Sequence, residues 1–384
     1  MVVTTPIERR RRGASYHEPA TDISRPSARR RARARAGARR RLALPEPLAS
    51  AGAASVGAMH VATPPPAPEE VAAWLSRRSG VDGGPWLVGP AMGDVSSRKY
   101  FRARARDGGS LIVAWYPPES SPAYACYRRA SLLLAEAGVR TPTIVAVDAE
   151  SRYMALEDVG DVRLFDLDGS RRSEKLFERA IAIAERIGTL SRTEVAALNP
   201  ALDRPLMSRE LDQTWNVFLT RRLDREAGER LRSALDEVCA ALAAEPLEPC
   251  HRDFMSRNLM VTGPPDEEEL VVIDHQDLRL GPRGYDFASL LHDSCALSLE
   301  QTRRFETRGG ERTRSDGYHR LVVQRTFKIV GTFHAFASRG APRYLPLVPR
   351  ALATGLEHLA ALPGLADLAG DLKRQLACRE SACG

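Results

Sequence analysis

Two aspartates and an asparagine stand at spacings that would suit phosphoryl transfer. Asp253 and Asn258 lie five residues apart in the segment HRDFMSRN, and Asp274 follows sixteen residues later, after the apolar residues VVI. Phosphoryl transfer requires a carboxylate that orients the attacking hydroxyl group, and hard oxygen ligands that hold a metal ion on the nucleotide phosphates. These three side chains would meet both requirements if the fold brought them together.

The chain around these residues predicts a hairpin that would do so. Short apolar runs near 259–262 and 270–273 predict two strands. A hairpin built from these strands would return Asp274 to the loop that carries Asp253 and Asn258. The loop and the strand end would then form one site.

The rest of the folded part predicts a sheet-rich segment followed by a helical one. Between residues 67 and 158, period-two runs predict strands, with one helix starting at Pro68 and another over about 122–137 that ends at Gly138. From residue 159 to residue 384 the apolar period is helical almost everywhere. The predicted fold class is α+β, with a small sheet-rich first lobe (67–158) and a larger, mainly helical second lobe (159–384).

The HRDFMSRN motif and the later Ile-Asp pair resemble those of the aminoglycoside phosphotransferase family, within the protein-kinase-like superfamily. The resemblance implies a two-lobed, kinase-like fold that uses ATP and Mg²⁺. It also implies that Asp253 is the catalytic base and that Asn258 and Asp274 bind the magnesium ion. His251 and Asp286 would be structural residues, with Asp286 bracing the catalytic loop through hydrogen bonds.

Two segments are candidates for nucleotide binding. The segment MALEDVGD (154–161) resembles the family's hinge, where backbone groups of Glu157 and Val159 would pair with adenine. The alternative is an ordinary strand end before a glycine turn. The turn at Ser96 and Ser97 is the second candidate, because backbone N–H groups and serine hydroxyls can cradle phosphates.

A lysine–glutamate pair that kinases normally use is expected to be missing. Kinases hold the phosphates with a lysine on the third strand, paired to a glutamate on the next helix. Residues 107–127 contain no Lys or Arg, and the helix predicted next has no acidic residue before Glu136. Arg98 or Lys99 could supply the positive charge instead. The alternative is that both side chains face solvent.

Further segments resemble one branch of the family, the bacterial anomeric kinases of N-acetylmuramate and N-acetylglucosamine, which serve cell-wall recycling. The resemblance covers roughly residues 67–370 and includes the segments GPRG (281–284) and QRTFKIVGTF (324–333). It implies phosphorylation of a hydroxyl group of an amino sugar or similar compound, with the anomeric hydroxyl as one candidate.

Two other functions remain open. An aminoglycoside-modifying resistance kinase would favour a strongly acidic pocket for its polycationic substrate, and the nearly neutral folded part gives this only modest support. A nucleotide-binding pseudokinase that acts as a scaffold is suggested by the absent lysine. Retention of Asp253, Asn258 and Asp274 argues against the scaffold, which needs none of them.

Three residues are candidates for substrate contact. Glu210 and Trp215 offer a carboxylate and an aromatic face, which suit sugar hydroxyls and ring C–H groups. Asp277 is a stronger candidate because it lies three residues after Asp274, the presumed metal ligand. For Trp215 the alternative is helix packing, because Leu211, Trp215 and Phe218 follow a helical spacing.

The beginning of the chain differs from the rest. The first 58 residues contain thirteen arginines and four acidic residues, whereas the remainder has 43 basic against 45 acidic residues. We predict that residues 1–66 are disordered, because they show no helical or strand period. A secretory signal, an organellar transit peptide and a nucleic-acid-binding arm are the alternatives. The nearly neutral remainder gives no reason to expect nucleic acid as a partner of the folded core.

Cysteine usage and hydropathy indicate the compartment. The six cysteines form no C-x-x-C pair, which is typical of free thiols in a reducing cytoplasm, and no clustered zinc ligands are visible in the sequence. No run of 18 apolar residues exists, so no membrane span is expected. We therefore expect a cytoplasmic monomer whose partners are ATP and a small hydroxylated acceptor.

Overall fold

The computed structural model describes residues 63–78, 81, 84–91, 98–167, 171–265, 267–293 and 296–380. Most of the arginine-rich segment, for which disorder is predicted, lies outside these ranges. The predicted phosphate-binding turn at Ser96 and Ser97 also lies outside them. The first described element is a helix that starts at Pro68, as the sequence predicts.

The first part of the chain forms a five-stranded antiparallel sheet with two helices. The elements are α1 (Pro68–Ser76), β1 (Leu87–Pro90), β2 (Lys99–Arg104), β3 (Ser110–Trp115), α2 (Ser121–Glu136), β4 (Ile144–Asp148) and β5 (Tyr153–Glu157). The strand order in the sheet is β1-β2-β3-β5-β4.

Side chains of this sheet alternate between two buried faces, as the strand geometry requires. Phe101 packs with Trp74 of α1 on one face, whereas Met154 packs with Tyr127 of α2 on the other. Because both faces are covered, the sheet contributes to a site through the ends of its strands, such as Arg98 just before β2.

The second part is mainly helical. None of the helices in the described part of the chain is long and apolar enough to cross a membrane. The elements are α3 (Arg171–Gly188), α4 (Arg192–Ala196), α5 (Arg204–Val217), α6 (Arg225–Ala244), β6 (Leu247–Cys250), β7 (Leu259–Thr262), β8 (Glu269–Val272), β9 (Arg279–Pro282), α7 (Tyr285–His292), α8 (Leu299–Arg308), α9 (Glu311–Arg314), α10 (Asp316–Ser338), α11 (Val348–Ala360) and α12 (Ala366–Glu380).

The long helix α10 lies at the centre of this part. It packs against α5, α6, α7 and α11, and it buries apolar residues such as Val322 and Phe327. The helix begins after Ser315, whose hydroxyl oxygen accepts a hydrogen bond from the N–H of Tyr318. This cap satisfies one of the backbone donors that a helix start leaves without a partner.

Two short two-stranded antiparallel sheets lie between the helices, and β7 with β8 forms a hairpin. β7 and β8 pair with Leu259 opposite Val272, as the apolar runs predict. β6 and β9 pair with Cys250 opposite Arg279, and the sequence did not predict them. The expectation of only two strands in this part was therefore wrong, because Pro and Gly in LEPC and RLGP interrupt the strand pattern.

Candidate active site

The loop between β6 and β7 is joined to the end of β8 by backbone and side-chain hydrogen bonds. The buried His251 ring donates from Nε2 to the carbonyl oxygen of Ile273 at 3.0 Å. The N–H of Ile273 donates to the carbonyl oxygen of Asn258 at 3.0 Å. The side-chain amide of Asn258 donates to the carbonyl oxygen of Asp253 at 2.8 Å. The hairpin therefore brings the residues of the HRDFMSRN motif next to the end of β8.

Two non-glycine residues of this region adopt left-handed backbone conformations. The φ angle is +77° at Arg252 and +65° at Asp274. Each such conformation costs on the order of 1–3 kcal/mol and persists only where the surroundings enforce it, which happens most often at functional sites. The strain therefore supports a functional role for the two segments that carry these residues.

Asp286, in the first turn of α7, contacts the backbone of the loop between β6 and β7. Its carboxylate accepts hydrogen bonds from the backbone N–H groups of His251 at 2.6 Å and Arg252 at 3.1 Å. Burial raises the pKa of Asp286 to about 6. These two bonds link α7 to the backbone just before Asp253.

Asp253 is surrounded by positive charge. Its Oδ1 atom lies 3.5 Å from Nζ of Lys328 and 3.8 Å from Nη2 of Arg325. Burial alone would raise the pKa of Asp253, but the charges of Lys328, Arg252 and Arg325 outweigh it and hold this pKa well below its usual range. Asp253 is therefore ionised at neutral pH and can accept a hydrogen bond from a hydroxyl group.

Arg325 is buried and contacts the backbone of the same loop. It forms an ion pair with the buried Asp293, and its Nη1 donates to the carbonyl oxygen of Arg252 at 2.7 Å. Its guanidinium also lies over the ring of Tyr285, 4.4 Å from the centroid. Lys328 and Arg325 were not predicted as site residues. The signal that could have found them is two basic residues three apart within an apolar helix.

Arg252 connects the loop to the predicted substrate residue Glu210. Its Nη2 atom lies 2.7 Å from Oε1 of Glu210, which also lies 3.3 Å from Nζ of Lys328. Burial would raise the pKa of Glu210, but Lys328 and Arg252 lower it to about 2. Gln324 donates to the other oxygen of this carboxylate at 3.1 Å. The structure thus gives Glu210 several donors within the protein.

Asp277, the other predicted substrate carboxylate, lies on the opposite side of Arg252. Its Oδ2 atom accepts from Nη1 of Arg252 at 2.7 Å, and its Oδ1 atom accepts from Nη2 of Arg279 at 3.1 Å. About a third of the Asp277 side chain is exposed, compared with 9% for Glu210. Asp277 is therefore the carboxylate of the two that an incoming hydroxyl group can reach more easily.

The indole of Trp215 is part of the core. Trp215 is 8% exposed and belongs to the same buried cluster as Leu211 and Phe218. The guanidinium of Arg232, on α6, lies over its ring at 5.2 Å from the centroid. The structure contradicts Trp215 as a substrate-contacting residue, because packing against α6 covers the aromatic face. The helix-packing alternative describes this side chain.

Of the two basic residues considered as substitutes for the lysine, one reaches the site. Arg98 donates from Nη2 to Oδ1 of Asp274 at 2.8 Å, and its guanidinium lies 6.0 Å from the ring centroids of Tyr100 and Tyr116. Lys99, the first residue of β2, is exposed. Arg98 therefore brings a positive charge to the end of β8, and Lys99 does not.

The predicted hinge is held in place by ion pairs. Glu157 ends β5, and its carboxylate accepts from Nη2 of Arg140 at 2.7 Å. The next residue, Asp158, pairs with Arg102 at 2.8 Å, before Val159 and a left-handed glycine at 160 with φ of +85°. These contacts fix the backbone conformation around Glu157 and Val159, whose peptide groups are the candidates for adenine binding.

The residues around β8 fit a magnesium ion. Asp274 offers a carboxylate, and Asn258 offers its amide oxygen because its amide nitrogen is used by the carbonyl of Asp253. Mg²⁺ prefers such oxygen donors and usually keeps several water molecules. The Asp274 carboxylate also accepts from Gln276 at 2.9 Å, which orients it.

Comparison with known proteins connects this site to a family. A model described as "Phosphotransferase enzyme family" matches residues 88–321. The N-acetylmuramate/N-acetylglucosamine kinase of Pseudomonas aeruginosa is 31% identical over 308 residues, which are 75% of this chain and 88% of the relative. The enzyme of the same name from Pseudomonas putida is 30% identical over 308 residues, 74% of this chain and 87% of the relative.

A solved structure shares the fold. Spectinomycin phosphotransferase, in complex with ADP and spectinomycin, has a TM-score of 0.54 and 14% identity, and the match covers 77% of this chain and all of that one. The predicted resemblance to the aminoglycoside phosphotransferases and the predicted α+β, two-lobed kinase-like fold are both confirmed by these matches.

Proposed function

We propose, because this chain belongs to the phosphotransferase enzyme family, that it transfers the γ-phosphoryl group of ATP to a hydroxyl group of an N-acetylated amino sugar. The observation that carries the proposal is the arrangement of Asp253, Asn258 and Asp274: Asn258 donates to the carbonyl oxygen of Asp253, and the residue before Asp274 donates to the carbonyl oxygen of Asn258. The names of the relatives support the N-acetylmuramate or N-acetylglucosamine type of acceptor. The bound ADP of the spectinomycin enzyme supports an adenine nucleotide as donor.

Asp253 would act as the base that orients the acceptor hydroxyl. Its lowered pKa keeps it ionised, so it accepts the hydroxyl proton only as the new phosphate ester forms. An anomeric hydroxyl is more acidic than an ordinary alcohol, which makes it a suitable partner for such a weak base. Lys328, 3.5 Å from Asp253, would balance the negative charge that gathers there.

Asn258 and Asp274 would hold the magnesium ion, which neutralises charge on the phosphates when it is bound. Arg98 would supply the positive charge that a lysine on the third strand supplies in other kinases, since its guanidinium lies within hydrogen-bond distance of Asp274. Peptide groups of Glu157 and Val159 would bind adenine, and Ser96 and Ser97 would cradle the phosphates.

The acceptor would bind between Asp277 and Asp253, next to the Arg252 side chain. Asp277 is partly exposed and can accept hydrogen bonds from sugar hydroxyls. A polycationic aminoglycoside is a poorer fit, because Glu210 and Asp277 are already paired with Arg252. The pseudokinase alternative is also a poorer fit, because a scaffold needs no ionised base. The protein would work as a cytoplasmic monomer in cell-wall recycling.

ATP consumption by the purified protein with Mg²⁺ tests the proposal. The acceptors are N-acetylmuramate, N-acetylglucosamine, glucosamine and kanamycin, with a no-acceptor control, and Asp274→Ala is assayed beside the wild type. We expect turnover on an N-acetylated sugar that is lost in Asp274→Ala. Phosphorus NMR of the product would identify the phosphorylated hydroxyl. Turnover on kanamycin alone would contradict the proposal, as would ATP binding without turnover on any acceptor.

A further inference from the structure

A cluster of side chains that could bind a metal ion lies where three helices meet, and it contains none of the predicted catalytic residues. His292 ends α7, Glu306 lies on α8, and His358 lies on α11. Each offers one donor atom, and these atoms all lie within 4.8 Å of one another. The sequence shows no clustered zinc ligands, because packing of the three helices is what assembles this set.

The distances within the cluster suit a tetrahedral metal ion. Oε1 of Glu306 lies 3.3 Å from Nε2 of His292 and 3.5 Å from Nε2 of His358. Zinc–nitrogen and zinc–oxygen bonds of about 2.0–2.1 Å give ligand-to-ligand edges of roughly 3.3–3.4 Å in a tetrahedron. Both distances are longer than the preferred N–H···O length of about 2.9–3.0 Å and close to these edges, so the spacing leaves room for a shared cation.

Neighbouring residues orient two of the ligands in the way that metal sites require. Nδ1 of His319 lies 2.9 Å from Nδ1 of His358, so the proton of the His358 ring can reside on Nδ1 and leave the Nε2 lone pair directed at Glu306. The hydroxyl of Tyr318 donates to Oε1 of Glu306 at 3.2 Å and lies 2.9 Å from Nε2 of His292, a contact that a bound ion would replace. Such contacts around the ligands fix their tautomers and directions.

The cluster is reachable from the surface. His292 is 3% exposed, whereas 20% of the Glu306 side chain is exposed. The cleft above the cluster is lined by Leu299, Thr302, Arg303, Arg350, Thr354 and Glu357. An ion could therefore enter from the cleft and keep a water molecule as its fourth ligand.

We propose that His292, Glu306 and His358 bind a divalent transition-metal ion of the Zn²⁺ type. Two imidazoles and one carboxylate select Zn²⁺, Co²⁺ or Ni²⁺ over Mg²⁺ and Ca²⁺, which prefer all-oxygen sites. The ion would join α7, α8 and α11. Six residues separate His292 from Asp286, about 9 Å along α7, so the ion would stabilise the helix that braces the catalytic loop.

Cobalt titration of the chelator-treated, full-length protein tests the site directly. We expect one equivalent of Co²⁺ to give visible ligand-field absorption without the intense near-ultraviolet band of a thiolate ligand. Zn²⁺ should displace it, and elemental analysis should find one zinc per chain. Zn²⁺ at about a hundred times its Kd should raise the Tm by roughly 3–6 °C.

Matched variants separate this site from others. Glu306→Gln and His358→Asn should weaken binding by at least about 100-fold, and His319→Ala by about 10–100-fold. His334→Asn, on α10 beside Phe218 and outside the cluster, and Asp274→Ala should bind Co²⁺ like the wild type. Absent ligand-field bands, unchanged affinity in Glu306→Gln, or loss of binding in Asp274→Ala would each overturn the proposal. Circular dichroism of every variant checks that it is folded.

Discussion

Arg98 and Asp274 are 176 residues apart in the chain, and Nη2 of Arg98 donates to Oδ1 of Asp274 at 2.8 Å. One residue precedes the second strand of the sheet, and the other ends a hairpin in the helical part. A metal ion on Asp274 would compete with this contact, and the guanidinium would then be close to the phosphates that the ion binds. The pair therefore offers a physical substitute for the lysine of other kinases.

Arg98→Ala should raise KM for ATP and lower kcat. A hydrogen bond to a charged group is worth about 1.5–3 kcal/mol, so kcat/KM for ATP should fall by roughly 10–150-fold. Steady-state kinetics at saturating acceptor measure this. Lys99→Ala, which removes the adjacent exposed charge, is the control and should stay within about twofold of the wild type. Equal effects of the two substitutions would rule out a specific role for Arg98.

Asp253→Asn should abolish most turnover and leave nucleotide binding largely intact. Loss of a general base costs about 10²–10⁴-fold in rate, and the neutral amide keeps the shape of the side chain. Kinetics give kcat, and calorimetry with ATP and Mg²⁺ gives the nucleotide Kd. If a folded variant lost turnover and nucleotide binding to the same extent, Asp253 would not be the base.

Lys328→Met should shift the pH dependence of the reaction. The positive charge of Lys328 helps to hold the pKa of Asp253 below its usual range, so its removal raises that pKa. Activity requires the ionised carboxylate and is lost as the pH falls through this pKa. The acidic limb of the kcat/KM profile should therefore move to higher pH.

The control for this prediction is Lys373→Met, which removes an exposed lysine on α12. Its pH profile should match that of the wild type. A lower kcat in Lys328→Met with an unmoved acidic limb would mean that Lys328 contacts the phosphates or the acceptor. It would then not act through Asp253.

Asp277→Asn should weaken binding of the acceptor and leave binding of the nucleotide nearly unchanged. The carboxylate is partly exposed, and the amide accepts hydrogen bonds less strongly, so KM for the sugar should rise by about 10-fold or more. KM for ATP should change by less than about twofold. Asp236→Asn, which breaks an exposed ion pair with Arg204, is the control. An increase confined to the ATP KM would exclude Asp277 from acceptor binding.

Local patterns explain which parts of the fold could be predicted. Strands β7 and β8 follow from two short apolar runs, and their hairpin brings Asp274 back towards Asn258. The contacts of Arg252 with Glu210 and Asp277 could not be predicted, because they join residues 42 and 25 positions apart through a turn with a positive φ angle. No local period encodes such a pairing.

The same reasoning applies to the buried charges. Arg325 lies in an apolar stretch of α10, and a buried arginine needs an acidic partner. The sequence does not indicate which acidic residue that partner is. The structure identifies Asp293, 32 residues earlier, just after the end of α7. For Trp215 the two sequence signals disagreed. Its aromatic side chain suggested contact with a sugar ring, whereas its helical spacing with Leu211 correctly indicated core packing.

Asp293→Ala should destabilise the protein strongly, because it leaves the guanidinium of Arg325 buried without its charge partner. Breaking a buried ion pair in this way costs about 3–5 kcal/mol. Urea unfolding followed by circular dichroism measures the change in free energy of unfolding. The control is Asp212→Ala, which breaks the exposed pair with Arg232 and should cost less than about 1 kcal/mol. Because Arg325 also donates to the carbonyl oxygen of Arg252, partial loss of kcat should accompany the loss of stability in Asp293→Ala. A cost as small as that of the control would mean that the burial of Arg325 does not depend on its ion pair with Asp293.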